Sequence, residues 1–327
     1  MTYAGTRRHR DRTGLRGLIR RHPLVSFFAL AAGLSWAAWT PYVLSGSGLG
    51  IAHFNFPVVL GNTQLTGVLP GAYLGPILSA FVVTAAADGR PGLRQWTGRL
   101  LRWRVGWRWY AGAVTGVPAV LVLISAVLSG GRIQAPAAAA LTAYLPMLLL
   151  QMVTTGLAEE PGWRDFALPR LQRRFGPLRA TAILGPLWGA WHLPLFLTAW
   201  GGWPHVTPQA PVEFILACCA FSYVMTWVFN RSGESLPVAM LVHTSVNTFM
   251  SLAWGKMFPS LPASDGSNML LIASVPVALV LIAATRGRLG YRPERGPRFG
   301  QARPGQPPFE GSQARFGQGR PAFDSLR

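Results

Sequence analysis

Three clusters in this chain hold residue types that could do chemistry, and all three lie in apolar surroundings. AEEPGWRDFALPR, from Ala158 to Arg170, places Glu159, Glu160 and Arg164 at the end of a long apolar run. PLWGAWHLPLF, from Pro186 to Phe196, carries His192, and NRSGESLPVAMLVHTSVNT, from Asn230 to Thr248, carries His243 and Asn247. An ionised residue at the centre of a membrane helix costs about 2.5–3.5 kcal/mol on insertion scales, so a chain that keeps such residues has a use for them. A carboxylate and an imidazole can activate a water, and an imidazole with a carboxamide can stabilise an oxyanion. Together these are the parts of a hydrolytic site assembled inside a membrane.

Helical spacing divides the roles. Residues i and i+4 share a face, whereas i and i+1 diverge by about 100°. Glu160 is therefore expected to clamp Arg164, leaving Glu159 on another face, without a local partner, as the reactive carboxylate. Pro161 lacks an N–H and Gly162 is flexible, so the helix is expected to kink or restart there. Broken backbone at membrane depth is tolerated where it is buried or lines a wet cavity. Trp188 lies one turn before His192, and both Trp188 and Trp191 read as packing residues, while Pro194 loosens the helix behind. His243 and Asn247 are again i, i+4, so both can donate to one oxyanion; Ser245 points to the opposite side. Each cluster has a plainer reading: charges just past a span, a histidine bonded to a neighbouring helix, an asparagine joining two helices. Their coincidence argues for chemistry, since His192 and His243 are the only histidines in the spans.

The elements that must position these groups are membrane helices. Half the residues are hydrophobic and only 13% are charged, against about 25% in soluble domains. Eight apolar runs approach spanning length: Leu24–Leu44, Val68–Ala87, Trp109–Leu128, Ala138–Ala158, Ala180–Trp200, Val212–Phe229, Leu236–Trp254 and Met269–Thr285. With the N-terminus inside, 28 of the 30 Lys and Arg residues fall in inside segments and only Arg132 and Lys256 outside. That split follows the positive-inside rule and predicts eight spans in the cell membrane with both termini cytoplasmic. It also accounts for the net charge of +19 without nucleic acid as a partner. The first run is long for a signal-peptide core and follows an Arg-rich extension, so it reads as a retained span; Arg7-Arg8 is not followed as a twin-arginine signal would be. Residues 1–23 form a basic N-tail, 24–285 one membrane domain with its motifs in 138–254, and 286–327 an Arg/Gly/Pro-rich tail too poor in large apolar residues to fold. Arg286 to Arg295 are placed to touch anionic headgroups.

In order and spacing the clusters resemble the signature of the CAAX-protease and bacteriocin-processing family (CPBP, or ABI) of intramembrane proteases. Its pattern is Glu-Glu-x-x-x-Arg, then Phe-x-x-x-His, then His-x-x-x-Asn. Here Glu159-Glu160 to Arg164, Trp188 to His192, and His243 to Asn247 match it from about the fourth span to the seventh, with Trp188 where Phe is usual. The resemblance implies an all-α polytopic intramembrane endopeptidase cutting a membrane-associated peptide or membrane-protein substrate from the cytoplasmic side. Glu159 with His192 would activate a water, and His243 with Asn247 would hold the oxyanion. The sequence has no His-Glu-x-x-His, which favours a metal-free glutamate mechanism; the alternative is a metalloprotease with zinc on Glu159, His192 and His243. Serine or cysteine proteolysis fits poorly. No Gly-x-Ser-x-Gly is present, and Cys218 and Cys219 lack a nearby histidine in sequence and read as packing residues. Two other classes compete: a non-catalytic scaffold or bacteriocin-immunity protein on the same fold, and a proton-relay transporter. Loss of Glu159, His192 or His243 would favour the scaffold, and all three are kept. A transporter would show paired broken helices in similar halves, and the hydropathy has no such symmetry.

Overall fold

In lipid every backbone polar group must be satisfied within the chain, which leaves helices as the natural solution for runs this apolar. The computed structural model describes residues 14–262 and 266–293, and these form an all-α polytopic membrane protein with no strand among them. Seven helical stretches are long and apolar enough to cross a membrane. One of them, Ala138–Leu197, is 60 residues long. At 1.5 Å per residue it would reach about 90 Å, three times a hydrocarbon core. It is two legs, broken at Gly176, where φ is 75° and ψ 166°, a backbone state open to glycine. Counting both legs gives eight crossings.

In chain order the helices are α1 (Leu15–Arg21), α2 (Pro23–Leu44), α3 (Leu69–Ala87), α4 (Gly89–Leu100), α5 (Trp107–Leu128), α6 (138–175), α7 (177–191), α8 (Ala210–Arg231), α9 (Leu236–Met257) and α10 (Gly266–Ala284). Their alternation sorts the connections to two ends of the bundle. Arg99 pairs with Asp165 and Glu234, Arg170 with Asp88, and Arg102 donates to the carbonyl of Gly233. These contacts gather the Arg-rich connections at one end. At the other, Ala199 N–H donates to the carbonyl of Ser47 (2.7 Å) and Gln134 N–H to that of Met257 (2.8 Å). Only Arg132 and Lys256 supply basic charge there, among the described residues.

Two local details go beyond expectation. The chain does not leave helical geometry at Pro161, which has φ −59° and ψ −30°. The chain widens instead into a π-helical segment, Pro161–Ala167, whose longer hydrogen-bond reach accommodates the missing N–H. Gly162 is not there for flexibility either. A Cβ on it would lie 2.6 Å from the Cβ of Pro76 and 2.8 Å from its carbonyl oxygen, so glycine lets α6 and α3 touch backbone to backbone. The same device joins α7 to α8: a Cβ on Gly185 would sit 2.7 Å from the Cα of Cys219, and one on Gly189 2.9 Å from that of Ile215. Small residues four apart permit this approach between membrane helices. Gly162→Ala should therefore separate α3 from α6 and sharply lower the yield of folded, detergent-stable protein, read by size-exclusion profile and thermal melting; an unchanged melt would contradict the contact.

The tails differ in part from expectation. Residues 286–293 are ordered at the basic end: Leu289 is fully buried, and its carbonyl accepts from Asn230 Nδ2 at 2.9 Å. A short helix, α1, occupies part of the N-tail. The expected tail segments 1–13 and 294–327 lie outside the described residues.

Candidate active site

The site is built by α6, α7 and α9, with α2 and α8 behind. Glu160 is fully buried. Its Oε2 lies 3.3 Å from Arg164 Nε one turn on, the pairing that the spacing predicts. Its other oxygen, Oε1, lies 2.8 Å from His243 Nδ1 on α9. Sequence spacing alone did not reveal that second bond, since 83 positions separate the partners. Arg164 is also fully buried; its guanidinium lies over the Trp188 ring, 4.8 Å from the centroid, and donates weakly to Ser222 Oγ at 3.5 Å. Glu160 is thus engaged at both oxygens, holding α6 together on one side and α9 to α6 on the other.

Glu159 has a different environment. It forms no ion pair among the described residues, and its Oε2 accepts a 2.8 Å hydrogen bond from the indole N–H of Trp188. The residue expected only to pack therefore positions the carboxylate. A phenylalanine, usual at this place in the family pattern, has no N–H to donate. Trp188 also takes His243 against its ring edge, with centroids 5.3 Å apart.

His192 follows the last turn of α7. Its Nδ1 lies 3.0 Å from the carbonyl oxygen of Trp188. A carbonyl can only accept, so Nδ1 carries the proton and Nε2 of the neutral ring keeps its lone pair. Rings hold the imidazole in place: Trp200 stacks on it at 5.6 Å and 14°, while Trp191 and Phe214 meet it edge-on at 4.6 and 4.8 Å. Trp191 is tied in turn to α2, its N–H bonded to Ser35 Oγ (2.8 Å) and its carbonyl to the Trp36 indole (2.9 Å). Trp200, Phe214 and Ser35 had no sequence signal, being ordinary members of apolar runs.

Glu159, His192, His243 and Asn247 all line one cavity of about 330 Å³. Ser245 does not; it is buried on the other side of α9, as its position two residues from His243 predicts. Cys218 is buried at the cavity wall, while Cys219 is half-buried outside it. The alternative ligand set Glu159, His192 and His243 is not gathered around a common point: among the described residues, no three His, Cys, Asp or Glu side chains are grouped to hold an ion.

The cavity walls include Leu60, Asn62 and Gln64 on the α2–α3 connection and Trp200 after α7, all at the end away from the Arg-rich connections.

Comparison with known proteins covers the same part of the chain. Residues 141–249, which span α6 to most of α9, match the family described as type II CAAX prenyl endopeptidase, Rce1-like. A protein of Methanococcus maripaludis named CAAX prenyl protease 2 is 27% identical over 109 residues, 32% of this chain and 40% of that protein. The alignment thus spans about two fifths of the relative's length.

Proposed function

We propose that this chain, whose residues 141–249 form an Rce1-like domain of the CAAX-protease (CPBP) family, is an intramembrane endopeptidase with Glu159 as its base. The supporting observation is the split between the two glutamates. Glu160 is engaged by Arg164 and His243, while Glu159 lines the cavity with the Trp188 indole as its partner. Its second oxygen can take a proton from a water that His192 Nε2 helps to orient. The resulting hydroxide attacks the scissile carbonyl carbon. The developing oxyanion accepts hydrogen bonds from Asn247 Nδ2 and from Nε2–H of protonated His243, whose Nδ1–H is held by Glu160. Collapse breaks the C–N bond, and Glu159 returns its proton to the leaving nitrogen, so the carboxylate is regenerated. The substrate is a peptide segment of a membrane-associated protein.

Comparing membrane proteomes of cells carrying the wild-type chain and Glu159→Ala tests this reading. At least one cleavage product should vanish in the variant; identical proteomes, with equal protein in the membrane, would favour a non-catalytic scaffold instead. The mechanism is proposed as metal-free. Activity should then survive a strong chelator, and the active protein should purify without stoichiometric zinc. One equivalent of zinc, lost together with activity in His192→Ala and His243→Ala, would reverse that assignment.

A further inference from the structure

Building on the endopeptidase reading, we infer that the outer face of α4 and the connection after it bind anionic phospholipid headgroups, and that this contact holds the two catalytic helices in register, so that turnover depends on the lipid. The outer face supplies the charge. Residues 89–108 carry six arginines and no acid. Arg90 and Arg94, at i and i+4, share one face of α4, and Arg104 and Arg108 follow on the connection and the first turn of α5; all four are exposed. Among the described residues none of the four pairs with an acid. Trp103 and Trp107 alternate with them, 52% and 72% exposed, beside Leu101. Exposed indoles interleaved with arginines suit the headgroup layer, where the rings sit at the lipid–water boundary and the guanidinium groups meet phosphate. A soluble acidic partner would leave those indoles in water.

The opposite face of α4 reaches the catalytic motif. Trp96 and Arg99, at i and i+3, are both buried. The Trp96 indole donates to the carbonyl of Pro161, the residue after Glu160, at 3.0 Å. Arg99 pairs with Asp165 and also donates to its carbonyl oxygen at 3.2 Å. The same guanidinium lies 3.3 Å from Glu234, the second residue before α9. Glu234 has φ 62°, a state that residues with a side chain adopt rarely. Arg102 donates to the carbonyl of Gly233, and Ser235 Oγ donates to that of Arg102 at 2.7 Å. One set of contacts thus grips the helix of Glu159, and another grips the start of the helix that carries His243 and Asn247. Both halves of the site are referenced to one short helix. Arginines this dense repel one another, which works against the grip. Anionic headgroups remove that repulsion and hold α4 against the bundle; neutral ones do not.

The test uses the full chain in vesicles of phosphatidylcholine and in vesicles of phosphatidylcholine mixed with phosphatidylglycerol. Phosphatidylglycerol should raise the melting temperature. It should also raise turnover at saturating concentration of a peptide carrying the sequence that is cut in wild-type but not in Glu159→Ala cells. Each surface arginine adds about fivefold to headgroup affinity, so Arg90→Gln, Arg94→Gln, Arg104→Gln and Arg108→Gln together should abolish both rises in protein recovered from the membrane. Arg173→Gln, Arg174→Gln and Arg179→Gln together, exposed at the same end, should keep them. Equal loss in both sets would make the effect one of general surface charge and overturn the site. Trp96→Phe keeps the ring and removes the bond to Pro161: its melting temperature should still respond to phosphatidylglycerol, and its turnover should not. A turnover rise unchanged in that variant would overturn the coupling. Glycerol phosphate added to neutral vesicles should reproduce neither rise; if it did, the lipid assignment would be overturned. Melting needs no turnover, so it reads the headgroup site even where no peptide is cut. A protein that melts alike in both lipids would overturn the inference and leave Glu159 untouched.

Discussion

Glu159→Gln should give a protein that folds, inserts and cleaves nothing measurable. The amide keeps the size of the carboxylate and an oxygen to accept the Trp188 indole bond now made at 2.8 Å, so packing is preserved. What disappears is the ability to take a proton from water. A positioned general base contributes about 10²–10⁴ in rate, and in the proposed cycle the same group also returns the proton to the leaving nitrogen, so the expected loss lies at the upper end. Asn247→Ala provides the comparison. It removes one oxyanion donor, typically worth about 10²–10³, and should leave residual turnover. Single-turnover assays on a peptide carrying the mapped cleavage sequence would rank the two. Near-normal cleavage by Glu159→Gln would remove this residue from the mechanism.

Glu160→Gln should fail for a different reason. It leaves a fully buried guanidinium without its carboxylate, and removing one partner of a buried pair costs about 3–5 kcal/mol. The amide oxygen can still accept from His243 Nδ1, so that ring keeps an anchor while losing the negative charge behind its protonated form. Both stability and oxyanion binding should therefore fall. Replacing both members, as in Glu160→Gln with Arg164→Met, should recover much of the stability, because no buried charge is then left alone, but not the turnover. Thermal melting in detergent alongside cleavage separates these effects. A well-folded Glu160→Gln protein with wild-type rate would show that neither contact matters.

How much was legible beforehand depended on the distance over which each interaction acts. The Glu160–Arg164 pair follows from helical spacing, and so does the shared face of His243 and Asn247. The helical class and approximate spans follow from apolar runs and the burial cost of backbone groups. Contacts that cross between helices were hidden. Nothing local announces that Glu160 meets His243, or that Asp165 pairs with Arg99 across 66 positions, though a further acid inside the same motif was a clue. Trp188 looked like packing because its indole N–H matters only once a carboxylate is known to face it. Gly162 read as a flexible site because no pattern within α6 shows Pro76 pressed against it. The chain's break at Gly176 was also hidden, because the apolar count alone places such a break no better than within a few residues.

The pairing of Glu160 with Arg164 also bears on how the chain is made. Both members belong to one helix, so they meet as soon as that turn forms, before α9 has been synthesised. The segment can then leave the insertion machinery carrying a neutralised pair instead of two separate charges, which lowers the cost of partitioning it into lipid. His243 arrives on a later helix and finds the carboxylate already anchored. Assembly thus has a natural order, with α6 prepared in isolation and the reactive pocket completed only when the seventh crossing docks against it. Until then the nascent protein lacks the His243 and Asn247 side chains that line the cavity beside Glu159.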